Sequence, residues 1–288
     1  MRKMTARIVN GRDIATEIQK KIAEDVRQLK KKYTVDPLIV TISIGQNASS
    51  ELYLKLRTAA CNKVGINTKR LHFEKNVSEA TILQTIQNLN NDPTVHGIFI
   101  QYPVPSHLRS HTLMQAVPAK KDVEGFNPEN LGRTLIGDEE LVPCTPLSVL
   151  TILEHEHITL KGKDVVIVNH SNVVGKPLAA LLLNRNATVA ICHVFTQNLK
   201  QYSSNADILI TGAGVLNLIT KDYIKNNATV IDVGIVETND GIHGDVDIES
   251  VKEKAALLTP VPGGVGPVTI ACSLSNMVKT YRNCIENS

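Results

Sequence analysis

The 288-residue sequence has no tryptophan, and aromatic side chains make up only 3% of it. So few rings argue against base-stacking platforms and aromatic-floored sugar clefts. The five cysteines, Cys61, Cys144, Cys192, Cys272 and Cys284, are scattered, odd in number and form no C-x-x-C pair. Neither a disulfide framework nor a structural zinc site is expected, no metal site is assigned, and free thiols fit a reducing compartment. No apolar run approaches the roughly 18 residues of a membrane span; the densest is Leu178 to Leu183. The basic start Met1-Arg2-Lys3-Met4 is not followed by the apolar stretch of a signal peptide. A cytoplasmic protein without membrane contact is expected. Thirty-one basic against twenty-eight acidic side chains leave +3, too little to argue for nucleic acid as a partner.

What is present is material for a core. Hydrophobic residues reach 42%, and the length suggests two domains at roughly 150 residues each. Apolar β-branched runs alternate with helical-period segments, which points to an α/β protein with parallel strands and crossover helices. Ile14, Ile18, Ile22, Val26 and Leu29 give an opening helix one apolar face, ending in Lys30-Lys31-Lys32. Leu38 to Ile44, apolar on both faces, reads as a central parallel strand. Gly45 to Ser50 is expected as a loop, 51–64 as a helix, 69–73 as a strand, and 95–101 as another. Ser78 caps a helix carrying Ile82, Leu83, Ile86 and Leu89. A change of unit is expected near Pro143-Cys144-Thr145-Pro146, then a helix over 147–154. Strands at 164–168, 188–192, 208–211 and 229–233 follow, with the spacing of a nucleotide-binding doubly wound sheet. A last helix over 269–284 returns to the first domain.

Three segments carry chemistry. Val168-Asn169-His170-Ser171-Asn172-Val173-Val174-Gly175-Lys176-Pro177 reads as strand, tight loop and helix start. Its backbone N–H groups would face a pyrophosphate, and Pro177 suits a first helical turn. The usual G-x-G-x-x-G is missing; Asn169 replaces a glycine, tolerating a left-handed backbone. Taken alone, an ordinary strand-to-helix turn explains this segment equally well. The second segment, 259–269, packs three glycines and three prolines into a stiff loop where backbone can approach a flat ligand. A structural crossover is its plainer reading. In the third, Tyr53 and Arg57 stand four residues apart on one helix face, with Gln101 at a strand end and Asp122-Val123-Glu124-Gly125 nearby in the reading. A Tyr/Arg pair is more often surface decoration.

Jointly these motifs resemble the methylenetetrahydrofolate dehydrogenase/cyclohydrolase (FolD) family across essentially the whole chain. The match rests on Tyr53 and its helix ending Val64-Gly65-Ile66, on 95–103, and on Lys121-Asp122-Val123-Glu124-Gly125-Phe126. It continues through 143–146, 171–177, Asp232-Val233-Gly234-Ile235 and 259–269. The resemblance implies a folate-binding α/β domain (1–146, completed by 270–288), a Rossmann-like NAD(P) domain (147–269) and a homodimer. It implies hydride transfer from 5,10-methylenetetrahydrofolate to the nicotinamide, then hydrolysis of the methenyl product to 10-formyltetrahydrofolate. By the same resemblance, Tyr53 stacks on the folate, and Gln101 orients both the residue-57 head group and the substrate. Glu124 contacts the pterin edge, and Pro262, Gly263, Gly264 and Pro267 line the cleft. Asn169, His170, Ser171, Val174, Gly175, Val194, Ile235 and Thr269 attend the cofactor.

The sequence departs from the family at four positions. Arg57 stands where the family has lysine, Glu124 where it has aspartate, and His170 and Val194 where NADP users carry arginine and serine. Lysine can lose its proton near neutrality when buried; a guanidinium cannot. Lys55, two residues after Tyr53, lies on another helix face. Hydride transfer asks mainly for alignment, ring opening for proton movement. The expectation is therefore a dehydrogenase with weak or absent cyclohydrolase activity. The acidic residue of a strict NAD site is also missing, so the cofactor reads as NAD(P), with NADP the family default. Two rival readings are a shikimate-type dehydrogenase and a catalytically reduced paralogue with a regulatory or assembly role.

Overall fold

The computed structural model describes residues 5–45 and 48–286; Met1–Met4, Gln46, Asn47, Asn287 and Ser288 lie outside them. In chain order, β1 (Arg7–Ile8) precedes α1 (Gly11–Tyr33), β2 (Leu38–Ile44) and α2 (Ala48–Lys63). Then come β3 (Asn67–Phe73), α3 (Glu79–Asn91), β4 (Gly97–Ile100), α4 (Ser110–Ala116), α5 (Pro128–Leu135) and α6 (Cys144–His155). β5 (Asp164–Val168), α7 (Gly175–Leu183), β6 (Thr188–Cys192), α8 (Leu199–Ser203), β7 (Ile208–Thr211) and β8 (Thr229–Asp232) follow. The chain ends with hairpin β9 (Val236–Thr238) and β10 (Gly241–His243), α9 (Ile248–Val251), β11 (Leu257–Leu258) and α10 (Val265–Glu286).

Two compact units emerge. One comprises Thr16–Arg133, Glu139–Cys144 and the chain from Ile270; the other comprises the chain up to Ala15, Thr134–Asp138 and Thr145–Thr269. The sequence partition counted the opening residues with 16–133. Here β1 pairs with β11, Arg7 opposite Leu257 and Ile8 opposite Leu258. Two-residue strands have no alternation to read.

In the first unit, a parallel sheet runs β3-β2-β4. β2 is its centre, as its two apolar faces predict. On one side Val40, Ile42, Ile98 and Ile100 pack with Ile82 and Ile86 of α3 and Leu113 of α4. On the other, Ile39 and Phe99 pack with Val26 and Leu29 of α1 and with Leu274, Met277 and Tyr281 of α10. The last helix therefore completes this core. Ser78 caps α3, accepting from the Thr81 N–H at 3.1 Å. α2 starts at Ala48, inside the expected loop, and α10 starts at Val265 rather than 269. Pro267 thus falls in the first turn of α10, where its missing N–H costs nothing.

The second unit holds a six-stranded parallel sheet in the order β1-β11-β8-β7-β5-β6. β5, β6 and β7 have the bounds read from sequence, and β8 ends one residue earlier. Strand order reverses at β5, which pairs with β6 on one side and β7 on the other. Sheets of this kind bind ligands beyond the strand C-termini at such a reversal. Among the described residues, no helix is long and apolar enough to cross a membrane.

Gly125 sits at φ +71°, and a Cβ there would meet the Val142 carbonyl carbon at 2.6 Å. Gly125→Ala should therefore lower stability by about 2 kcal/mol or more, read as an earlier urea midpoint at unchanged slope.

Candidate active site

The register of the three-stranded sheet sets Thr41 of β2 directly opposite Phe99 of β4. α2 lays Arg57 over this pair. Its guanidinium carbon is 3.6 Å from the Phe99 ring centroid, a cation–π contact worth about 2 kcal/mol when desolvated. Nη1 donates to Thr41 Oγ1 and Nε to Ser273 Oγ of α10, both at 3.3 Å. Arg57 is only 2% exposed and Tyr53 is partly buried against the same core, so the pair is not surface decoration. Tyr53, one turn earlier, stacks on the same ring at 6.3 Å, and burial raises its phenol so that it stays protonated. Lys55 is exposed on the opposite side of the helix.

Gln101 follows β4 on the Phe99 side. Its amide nitrogen donates to the Tyr102 carbonyl at 2.6 Å and to Ser50 Oγ at 3.5 Å. Thr41, Phe99 and Ser273 hold the residue-57 head group. Gln101 turns instead toward α2's first turn and its own chain. Thr41 was legible as a polar break in an apolar strand, and Phe99 as the i−2 neighbour of Gln101. Ser273, more than two hundred residues away, left no local signal.

Glu124 lies in a loop built by Asp122, whose carboxylate accepts from Gly125 N–H (3.0 Å), Asn127 N–H (2.7 Å) and Asn130 Nδ2 (3.0 Å). Those bonds oppose the burial that pushes Asp122 up to about 6. Glu124 has no comparable set. Burial pushes it up to about 7, against the lowering charge of Arg57 and with added repulsion from Asp122. Among the described residues, four of the seven buried side-chain polar atoms without a hydrogen-bond partner belong to these residues and to Tyr102: Arg57 Nη2, Gln101 Oε1, Tyr102 Oη and Glu124 Oε1. Native folds satisfy buried polar groups, so such a set is the signature of a polar ligand's place. The neighbouring Lys121 is not part of it; its ammonium donates to the carbonyls of Leu89, Asn90 and Asp92 at the end of α3.

In the six-stranded unit, the loop after β5 is organised by Asn169. Its Oδ1 accepts from Ser171 N–H (2.9 Å), Ser171 Oγ (2.8 Å) and Gly175 N–H (3.0 Å), and its Nδ2 donates to Gly212 O (2.6 Å). Asn169 is not left-handed, so the reason given for it is corrected: its side chain braces the loop. The expectation of helix-start N–H groups standing free for pyrophosphate also narrows. Those of Ser171, Val174, Gly175 and Lys176 all bond within the loop. Gly175 is obligatory, since a Cβ would fall 1.9 Å from the Asn169 carbonyl oxygen. At the ends of β5 and β6, His170 and His193 stand side by side with ring centroids 4.7 Å apart. Val194 and Ile235 are both strongly exposed, and Thr269 bonds Ser148 at 3.0 Å. Pro262, Gly263, Gly264 and Pro267 lie where the chain enters α10. There Gly264 is buried against Pro260, and Gly263 O accepts from Gly11 N–H of α1 at 3.0 Å. The closeness these glycines permit is used, in part, by the chain itself. Among the described residues, no group of three or more metal-ligating side chains occurs.

Residues 9–124 match the catalytic domain described as tetrahydrofolate dehydrogenase/cyclohydrolase, and residues 143–285 match the NAD(P)-binding domain of the same name. The chain belongs to the tetrahydrofolate dehydrogenase/cyclohydrolase family. Bifunctional protein FolD of Methanosarcina barkeri is 46% identical over 98% of this chain and 97% of its own. The Trypanosoma brucei dehydrogenase-cyclohydrolase, solved with NADP and an inhibitor, aligns at 30% identity and a TM-score of 0.93. That alignment covers 97% and 98% of the two chains. The NAD-dependent 5,10-methylenetetrahydrofolate dehydrogenase of Saccharomyces cerevisiae aligns at 26% identity and a TM-score of 0.84, over 99% of each.

The raised Glu124 carboxyl has a stability consequence. A group lifted on folding favours the native state below its unfolded value, and that advantage is lost as pH rises through about 7. Glu124→Gln does not titrate. Its stability relative to the parent should therefore be greater at pH 8 than at pH 5, by about 2 kcal/mol in denaturant titrations.

Proposed function

We propose that this chain is a 5,10-methylenetetrahydrofolate dehydrogenase that passes hydride to NAD(P)+, giving 5,10-methenyltetrahydrofolate, and opens that product slowly. The observation that carries the reading is the Arg57–Phe99–Tyr53 cluster with its unpartnered polar atoms, set in a chain of this family. In this reading, 16–133 with the end of α10 receives the folate. Tyr53 supplies an aromatic face, and Gln101 and Glu124 supply the polar edge. Arg57 acts as a fixed cation, held by two hydroxyls and a ring. The nicotinamide, when bound, accepts the hydride. The methenyl cation is stabilised by its own two nitrogens, so this step needs alignment, which a rigid buried guanidinium supplies. Ring opening needs a proton carrier, and arginine at 57 is not one. Arg57→Lys should raise the ratio of methenyl hydrolysis to cofactor reduction at least ~10-fold, followed as two absorbances in one assay. Matched rates in the parent protein would overturn the reading of a slow second step.

The loop after β5, the reversal of strand order and the imidazoles at the ends of β5 and β6 fit a dinucleotide. The second strand's end is where the adenine ribose sits in such sheets. The positions that carry arginine and serine in NADP users carry His170 and Val194 here, so discrimination for the 2′-phosphate is weak and NADP is favoured only modestly. His170→Arg should shift preference toward NADP about 10-fold or more, read both as the kcat/KM ratio and as calorimetric dissociation constants. A homodimer belongs to the same reading. β6 is a free sheet edge carrying the exposed Ile191, the kind of edge a second copy covers.

A further inference from the structure

The slow ring opening still needs a group that moves a proton, and this inference rests on the dehydrogenase reading above. Buried titratable groups of the three-stranded unit are mostly committed. Lys121 serves three carbonyls, His96 Nδ1 accepts from the Leu38 N–H at 3.2 Å, and Lys279 donates to the Glu140 carbonyl at 2.6 Å. Asp122 is saturated by three donors. Among the described residues, Glu124 alone combines a carboxylate with an unpartnered, solvent-shielded oxygen in the Arg57 cluster.

We propose that Glu124 is the proton acceptor and donor for ring opening, replacing the function that residue 57 cannot perform. Beside it a small cavity, lined by Asp122, Glu124, Tyr102, Ile98 and Phe126 among others, leaves about 10 Å³ for the centre of a water molecule. That is room for about one water, on the Ile98 and Ile100 face of the sheet. The groups facing Glu124 are Arg57 and Tyr53 from α2, Asp122 in its own loop, Cys144 from α6 and Tyr102 after β4. Burial raises Tyr53, Tyr102 and Cys144, so they keep their protons; Arg57 stays a cation. A carboxyl raised to about 7 is matched to proton transfer at neutral pH. The extra methylene over aspartate gives it more reach than the family's shorter acid.

The step balances as follows. Water oxygen bonds to the carbon bridging the two folate nitrogens, and its departing proton passes to the Glu124 carboxylate. One carbon–nitrogen bond then breaks, and that nitrogen takes the proton back from Glu124. The hydroxyl proton leaves to solvent as the formyl carbonyl forms. One water is consumed, one proton is released, and no oxidation state changes.

The test uses the purified full chain. Cofactor reduction with methylenetetrahydrofolate is measured first; its absence would refute the functional reading itself. Methenyl decay is then followed from about pH 5.5 to about 8.5, with the spontaneous rate subtracted. The enzymatic rate should rise nearly tenfold per pH unit below ~7 and level off above it. Glu124→Gln should lose at least ~100-fold in hydrolysis, more than it loses in cofactor reduction, and Glu124→Asp should recover part of it. A flat pH profile, no enzymatic hydrolysis at all, or a glutamine variant hydrolysing within about threefold of the parent would each overturn the assignment. The pH profile of the parent protein needs no variant to fold.

Discussion

Burying a guanidinium is expensive, because a charge leaves water and every N–H it carries must find an acceptor. The first unit is arranged around that constraint. A threonine in the middle of a largely apolar strand, a serine on the last helix and the face of a phenylalanine together receive Arg57. One nitrogen is left over. The carboxylate that could neutralise the charge, Glu124, is instead kept half-titrated by its own burial. A saturated salt bridge would be inert toward a ligand; this arrangement holds donor and acceptor in reserve.

The two acids of the 122–124 loop show how environment assigns work. Asp122 is buried and Glu124 partly so, and both are lifted above ordinary carboxylates. Asp122 receives three hydrogen bonds and shapes the turn through Gly125 and Asn127. Glu124, held out by that turn, receives little. Asp122's bonds thus fix the backbone that leaves Glu124 available. The same division appears in the six-stranded unit. There Asn169 spends its whole side chain bracing the loop after β5, while His170 next to it remains exposed beside His193.

Much of this was legible beforehand. The central strand at 38–44, the Ser78 cap and the four strands from 164 to 232 follow from apolar periodicity and punctuation. Such signals come from burial on both faces and from unsatisfied helix ends. The strands β1 and β11 and the hairpin β9–β10 were not legible, because two or three residues carry no period. The Arg57 cluster was half legible. Tyr53 and Arg57 share a face by helical arithmetic, but whether that face is surface or core depends on the sheet register that sets Thr41 opposite Phe99.

Sequence alone determined the family, the two α/β units, and the chemical limits of arginine at 57 and histidine at 170, since these depend on residue identity and local order. Only the tertiary structure decided which hydroxyls hold Arg57 and that Asn169 braces its loop. It also decided that Glu124 is raised to about 7. Desolvation and hydrogen-bond partnership arise between segments far apart in the chain, and no local pattern encodes them.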